Sequence, residues 1–471
     1  MSEKKNSDFF GHFLYVFGSQ LVVLSAGLVK ALVIPVLLGL SDYGYWQIYI
    51  FYTIYIGVFT FGYGDGLYLK YGGYKLGDLP FERLRAANAI YLFLLAFGAV
   101  AFLLYALMNT DPHRQVIFCA IAVNIAVLGT TSNISLTLQA ANLLKSYAFL
   151  NSADKIFFTF ALLALFNDSF RTFEYLIAVD LFSKVIVMSF LVWRYRQLFI
   201  GSFVRLSDGI AEYFSSVGAG VQLLLANLSG MLVLDAGRVI VEYFGNIESY
   251  AHYAFAISLT NVVLMSVSAL SIVIYPTLKR QSQDRYLGYF NTTCHAYSAF
   301  AFLMLTGYFP ARAFVQTFAA HYQPMLEFLN VMFVITVLQG KMQLVNNTYY
   351  KALRLERPML VANLSSLVIA TLLAAIAYAS TQSVLSLAYT TMASMIVRVY
   401  ASEVFLRRYM GESFDLRIFA EGLIFAAFLT LTSVASLSFG LFVWIIFIAS
   451  FALFKHQQLS ALARQIRGWK Q

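Results

Sequence analysis

Long apolar runs alternate with short polar breaks along the whole chain. A run of ~20 residues is long enough to cross the hydrocarbon core of a bilayer as one helix. Fourteen such runs can be placed, at about 12–38, 44–64, 86–108, 114–138, 146–166, 172–192, 217–242, 250–275, 287–308, 325–346, 358–379, 382–404, 416–435 and 439–455. The pattern predicts an all-α polytopic membrane protein of about 14 transmembrane helices. A membrane β-barrel would instead show alternating segments of ~10 residues. The prolines agree with these boundaries. Pro35, Pro80, Pro112, Pro276, Pro310, Pro324 and Pro358 all fall at expected helix ends or in loops, where a missing N–H costs little.

The breaks repeat. "VIPVLLGLSDYGYWQIYI" (33–50) follows the first run and "RVIVEYFGNIESYAHYAFAI" (238–257) the seventh. Each closes a helix at a glycine, Gly39 or Gly245, turns through a short acidic loop and re-enters with tyrosines. "LQAANLLKSYAFL" (138–150) and "YKALRLERPMLVA" (350–362) each close an even-numbered run and open the next. The offsets are about 206 and 212 residues. Internal repeats of this kind build many transporters. The expected organisation is an N-terminal lobe at 1–205 (spans 1–6) and a C-terminal lobe at 206–406 (spans 7–12). An extra helix pair and a tail follow at 407–471.

Charge fixes the expected orientation. Only 12% of residues are charged, against about 25% in soluble domains. The net charge of +9 is scattered singly or in pairs along short loops, which excludes a nucleic-acid patch. With the N-terminus placed inside, 23 of the 32 basic residues fall in inside segments. Outside loops hold only Arg114, Arg171 and Arg312. This is the asymmetry of the positive-inside rule, and it puts both termini in the cytoplasm. The first run is too long, and too polar at Lys30, for a cleaved signal peptide. No loop has room for an extramembrane catalytic domain.

Catalytic signatures are missing as well. The chain has no G-x-x-x-x-G-K-[ST], H-E-x-x-H, C-x-x-C or G-x-S-x-G, so neither an enzyme nor a metal or cofactor protein is expected. "GYGDG" (62–66) has no strand before it and reads as a helix end. Cys119 and Cys294 lie in or beside spans and imply no disulfide framework.

The candidate chemistry is the charge inside the spans, which by default faces the protein interior and marks a pathway. Six basic residues qualify: Lys30, Lys155, Lys184, Arg238, Lys341 and Arg398. Lys155 adjoins Asp154, Lys184 follows Asp180 by one turn, and Arg238 sits between Asp235 and Glu242 on one helical stripe. These either neutralise one another or share charge with a ligand. Glu242 is expected at the water boundary. Lys30 and Lys341 have no acid within four residues, and Arg398 and Lys341 are near enough to span ends to snorkel. Unpaired cations in a membrane interior point to an anionic ligand. Asp65, Asp154, Asp180 and Asp235 are candidate ion or proton sites. Gln20, Asn124, Asn133, Gln222, Asn227, Asn261, Gln339 and Asn346 fit either a hydrated cavity or interhelical hydrogen bonds.

"PVLLGLSDYGYW" (35–46), "LQAANLLKSYAFL" (138–150), "LDAGRVIVEYFGNIESYAHYAFA" (234–256) and "LSIVIYPTLKR" (270–280), in this order, resemble the polysaccharide-transporter family. That family belongs to the multidrug/oligosaccharidyl-lipid/polysaccharide (MOP) exporter superfamily and includes the Wzx-type O-antigen flippases. The resemblance covers about residues 12–405. It implies a flippase of the bacterial inner membrane that moves an undecaprenyl-pyrophosphate-linked oligosaccharide to the outer leaflet by alternating access through a cationic cavity. It also implies membrane lipids, a polysaccharide polymerase and a chain-length regulator as partners. Asp235 and Arg238 match the family's acidic and basic positions in the seventh span. Ser249 stands where a glycine often precedes the tyrosine, and the pair at 416–455 exceeds a twelve-span core. A cation-coupled drug exporter is the nearest alternative, but it would favour unpaired acids. A membrane glycosyltransferase or polymerase would carry a larger outside loop.

Overall fold

The computed structural model describes residues 2–279, 285–412 and 417–454. Among them the ordered elements are helices. All fourteen expected spans overlap helical backbone, and the fold is that of an all-α polytopic membrane protein. Eight helices of the described residues are both long and apolar enough to cross a bilayer. The stretches Leu21–Leu37, Ala420–Val434 and Leu437–Ser450 are apolar but shorter.

The chain divides into two compact units, Met1–Leu228 and Ser229–Gln471. The first contains α1 (Ser2–Leu37), α2 (Leu40–Ile54), α3 (Tyr63–Tyr71), α4 (Phe81–Leu107), α5 (Pro112–Ala140), α6 (Leu144–Ala161), α7 (Phe173–Arg194) and the start of α8 (Leu206–Phe244). The second holds the rest of α8, then α9 (Ile247–Lys279), α10 (Tyr286–Thr306), α11 (Tyr308–Phe318), α12 (Leu326–Lys341) and α13 (Asn347–Ala352). It ends with α14 (Glu356–Thr381), α15 (Val384–Tyr409), α16 (Arg417–Val434) and α17 (Leu437–Phe454). The division falls inside α8, whereas the expected lobe boundary at residue 205 lies before it. The reason is local: the first half of α8 packs on α3. Lys70 reaches Glu212 at 2.7 Å, and Tyr63 and Tyr213 pack ring against ring at 5.2 Å.

That packing explains "GYGDG". The expected second span breaks before it: α2 ends at Ile54, a 3₁₀ segment runs over Tyr55–Thr60, and Phe61 and Gly62 turn left-handed at φ 51 and 77. The glycines thus start α3 and do not end a span. A Cβ on Gly62 would lie 2.8 Å from the Gly220 carbonyl carbon, and one on Gly66 would overlap the Ser216 carbonyl. Their role is close approach of two backbones, a common use of glycine in membrane helix pairs.

The duplication is visible in the backbone. In the first unit the N–H of Leu143 bonds the carbonyl of Leu138 and that of Asn142 bonds Gln139, with Asn142 at φ 57. In the second, Leu355 bonds Tyr350 and Arg354 bonds Lys351, with Arg354 at φ 56. Both are Schellman caps with a left-handed residue two past the last helical one, at the register found in the sequence. The helix starts follow ordinary rules. Asp111 caps α5 by accepting from the His113 N–H at 2.9 Å, with Pro112 in the first turn, and Thr172 caps α7.

Candidate functional site

In the first unit, α6 and α7 bring the expected lysines to one cavity. It has a volume of about 520 Å³ and is lined by Lys155, Lys184, Asp154 and Asp65, with Thr53, Thr131, Ser132, Ser135 and Gln139 among its polar neighbours. Lys184 and Asp180 are one turn apart on α7 and form an ion pair. Asp180 is fixed further, since the Tyr49 hydroxyl donates to it at 2.6 Å and Asn124 donates to that hydroxyl at 2.6 Å. Asp180 is therefore buried behind the lining while Lys184 reaches the cavity. Lys155 lies 3.1 Å from Asp154, both half-buried. Lys30 makes no ion pair among the described residues. Its ammonium lies 3.7 Å from the centre of the Phe158 ring, a cation–π contact, and it feels the charges of Asp180, Lys184, Asp154 and Lys155. Asp65 lines the same cavity with no ion-pair partner among the described residues.

The second unit treats its cations differently. Lys341, expected to be unpaired, has two carboxylates: Glu403 at 2.7 Å and Glu421 at 2.6 Å. Glu403 also holds Arg407 at 2.8 Å, and Arg407 holds Glu412 at 2.6 Å. Lys341 is 3% exposed, so it does not snorkel. The partners come from α15 and α16, sixty or more residues away in sequence, which is why local spacing missed them. Beyond Lys341 the helix widens into a π-helical turn, Met342–Asn346, a feature frequent at functional sites.

Arg398 does not snorkel either, being 2% exposed. Its guanidinium donates to Asn363 Oδ1 at 2.8 and 3.2 Å, to Gln339 Oε1 at 3.3 Å and to the Gly230 carbonyl at 3.3 Å. These partners are neutral, so the charge is solvated by dipoles and not cancelled. Arg238 is paired with Asp235 at 3.5 Å on the same face of α8. Glu242, expected at the water boundary, is buried at 6% exposure.

The polar residues sort cleanly. Asn124, Asn133, Gln339 and Asn346 are buried and joined to Tyr49, Asn88, Arg398 and the Val399 carbonyl respectively. Gln222 and Asn227 are exposed on α8, and Asn261 is half-buried. The side chain of Gln20 lies outside the described residues. Cys119 and Cys294 are free thiols. Sequence reasoning missed Tyr49, Phe158, Asn363, Arg407 and Glu421, and it read Glu403 only against Arg398, five residues before it. Glu421, like Glu403, carried a signal as an acid within an apolar run.

No family model matches the chain, and no curated protein is similar enough in sequence to be a relative. Solved structures are similar in fold. The lipid II flippase MurJ, in an inward closed conformation, aligns with a TM-score of 0.66 at 12% identity, over 96% of this chain and 100% of that one. A multidrug resistance MATE family transporter of the MOP superfamily, inward-facing, aligns with a TM-score of 0.57 at 12% identity, over 83% of this chain and 98% of its own. A MOP superfamily transporter from Pyrococcus furiosus aligns with a TM-score of 0.50 at 12% identity, over 85% and 95%. At such identities the likeness is one of architecture: this multi-pass membrane protein has the fold of MOP-superfamily transporters.

Proposed function

We propose that the chain is a membrane flippase that moves an undecaprenyl-pyrophosphate-linked oligosaccharide, a surface-polysaccharide repeat unit such as O-antigen, across the bacterial inner membrane. The observation that carries this reading is the N-terminal cavity, with Lys155 and Lys184 in its lining and Lys30 nearby, which makes no ion pair among the described residues. A pyrophosphate bears about two negative charges, which ammonium groups compensate as point charges. Hydroxyl and amide groups of Thr131, Ser132, Ser135 and Gln139 supply donors and acceptors for sugar hydroxyls. Arg238 and Arg398 are further candidates for substrate charge in the second unit. Lys341 is the weakest, because two carboxylates already hold it. One neighbour of the fold is a lipid II flippase and another a multidrug resistance transporter, so the lining must decide the cargo. The charge asymmetry supports a cytoplasmic position for both termini. A polymerase and a chain-length regulator are the expected partners.

The test is flipping of a fluorescent polyprenyl-pyrophosphate oligosaccharide in proteoliposomes. Lys30→Gln combined with Lys184→Gln should remove most activity while the protein still inserts and elutes as one species. Unchanged flipping in that double variant would overturn the reading. A cation-coupled drug exporter is the second reading, favoured by Asp65, a carboxylate of the same cavity with no ion-pair partner among the described residues. It predicts that Asp65→Asn abolishes transport of a cationic dye and that the lysine variants do not.

A further inference from the structure

The helix that carries Lys341 has one polar face that the site above leaves unused. From Phe328 to Ala352 the chain is helical, through α12, the π-helical turn Met342–Asn346 and α13. Every residue of that stretch is buried except Gln343, Asn347 and Lys351, which are half-buried. They are four residues apart, so they lie one above the other on a single face. The stripe covers about 12 Å of helix axis. The charge asymmetry supports a cytoplasmic position for its Lys351 end.

No partner within the protein accounts for these side chains. The amide oxygens of Gln343 and Asn347 are buried and accept no hydrogen bond among the described residues. Lys351 makes no ion pair among them. Unmatched buried polar groups are costly. Two acceptors and an ammonium on one stripe fit a ligand that donates deep in the stripe and accepts at its end.

The repeat supplies an independent argument. At the 212-residue offset that matches the left-handed caps Asn142 and Arg354, Gln343, Asn347 and Lys351 fall on Thr131, Ser135 and Gln139. All three of those residues line the cavity of the first unit. The second unit thus repeats a polar face of α5, with a cation in place of Gln139.

We infer that Gln343, Asn347 and Lys351 form a second binding face, in the second unit, for a phosphorylated sugar chain. The Lys351 ammonium donates to phosphate oxygens at the end of the stripe. The Gln343 and Asn347 amides take the sugar hydroxyls deeper in. An amide turned over offers donors in place of acceptors, and a hydroxyl satisfies either. This rests on the flippase reading above and adds which parts of the cargo the second unit holds.

Flipping by the full-length protein in phosphatidylcholine vesicles tests it, below saturation, with two fluorescent polyprenyl pyrophosphates: one bears an oligosaccharide and one bears none. Gln343→Leu combined with Asn347→Leu should slow the sugar-bearing probe about tenfold and leave the other unchanged. Lys351→Gln should slow both about tenfold. Neither variant breaks a bond within the protein, so both should keep the thermal midpoint of the wild type. A fall in midpoint that accounts for the lost flipping overturns the inference. Equal slowing of the two probes by the leucine pair, or unchanged flipping in Lys351→Gln, overturns it as well. So does a Lys351→Gln effect that appears only when phosphatidylglycerol is added to the vesicles, since the lysine then holds a membrane lipid. If these variants flip normally while the Lys30→Gln, Lys184→Gln protein does not, the second face fails and the flippase reading stands; if that protein also flips normally, both fail.

Discussion

The two units both carry ionisable groups inside their spans and manage them differently. On α6 and α7, the fifth and sixth spans, Lys155 and Lys184 face a cavity lined with hydroxyls, and Lys30 nearby rests on an aromatic ring. On α12 and α15, the tenth and twelfth, Lys341 and Arg407 are closed between carboxylates with 3% of each side chain exposed. In the first unit each lysine of the lining has one carboxylate on its own helix and also reaches open space; in the second, Lys341 is closed between two carboxylates. The difference teaches that an intramembrane lysine is not by itself a ligand site. What decides is whether it also reaches open space beside its carboxylate.

The comparison breaks first at Lys341. Removing one member of a buried ion pair strands the other, at a cost of about 3–5 kcal/mol. Lys341→Gln leaves Glu403 with Arg407 alone and Glu421 with hydroxyls alone. We expect a large drop in the yield of monodisperse protein and in the midpoint of thermal unfolding. A Lys341→Gln protein as stable as wild type would remove the distinction between the units. The double variant Lys341→Met, Glu421→Met removes the pair and should be milder than the single change, since a buried pair is often replaceable by apolar side chains.

Arg398 gives a smaller effect of a different kind. Asn363 Oδ1 accepts from two of its nitrogens, so Asn363→Ala leaves buried donors unmatched, at about 1–3 kcal/mol. Asn363→Asp should do the reverse by supplying the missing counter-charge. If Arg398 takes part in anion binding, Asn363→Asp also weakens pyrophosphate binding to the purified protein while raising its thermal midpoint. Both quantities rising together would show Arg398 to be purely structural.

How much of this was legible beforehand follows from the range of the interactions. Helix positions and the repeat were legible because apolar run length and turn chemistry are local: Asn142 and Arg354 occupy the same left-handed cap at the same register. The pairs Asp180–Lys184 and Asp235–Arg238 were legible because one helical turn brings them together. The partners of Lys341 were not, because Glu421 lies 80 residues away and only packing places α16 against α12. The neutral cradle of Arg398 was illegible for the same reason. The break near Ala161, where α-helix gives way to a 3₁₀ turn, lies inside an apolar run with no proline or glycine at the break itself. The snorkelling expectation failed because it assumed lipid around helices that are in fact packed in protein, as α12 is along its whole length from Phe328 to Lys341.

The smallest expected effect on stability is the sharpest test of the contrast. Lys155 and Asp154 are neighbours in sequence, with 28% and 23% of their side chains exposed. An ion pair this exposed contributes at most about 1 kcal/mol, and its loss leaves groups that water can reach. Lys155→Gln should therefore shift unfolding by about 0.5 kcal/mol or less, within the scatter of a thermal measurement. Its effect on flipping should be far larger than its effect on folding, because removing one ammonium from the lining weakens every anionic state that crosses the cavity. Lys341→Gln should show the opposite order, with folding failing before transport can be measured. A Lys155→Gln protein that unfolds readily would mean that the N-terminal lysines are held as tightly as Lys341, and the cavity would lose its claim to an anionic cargo.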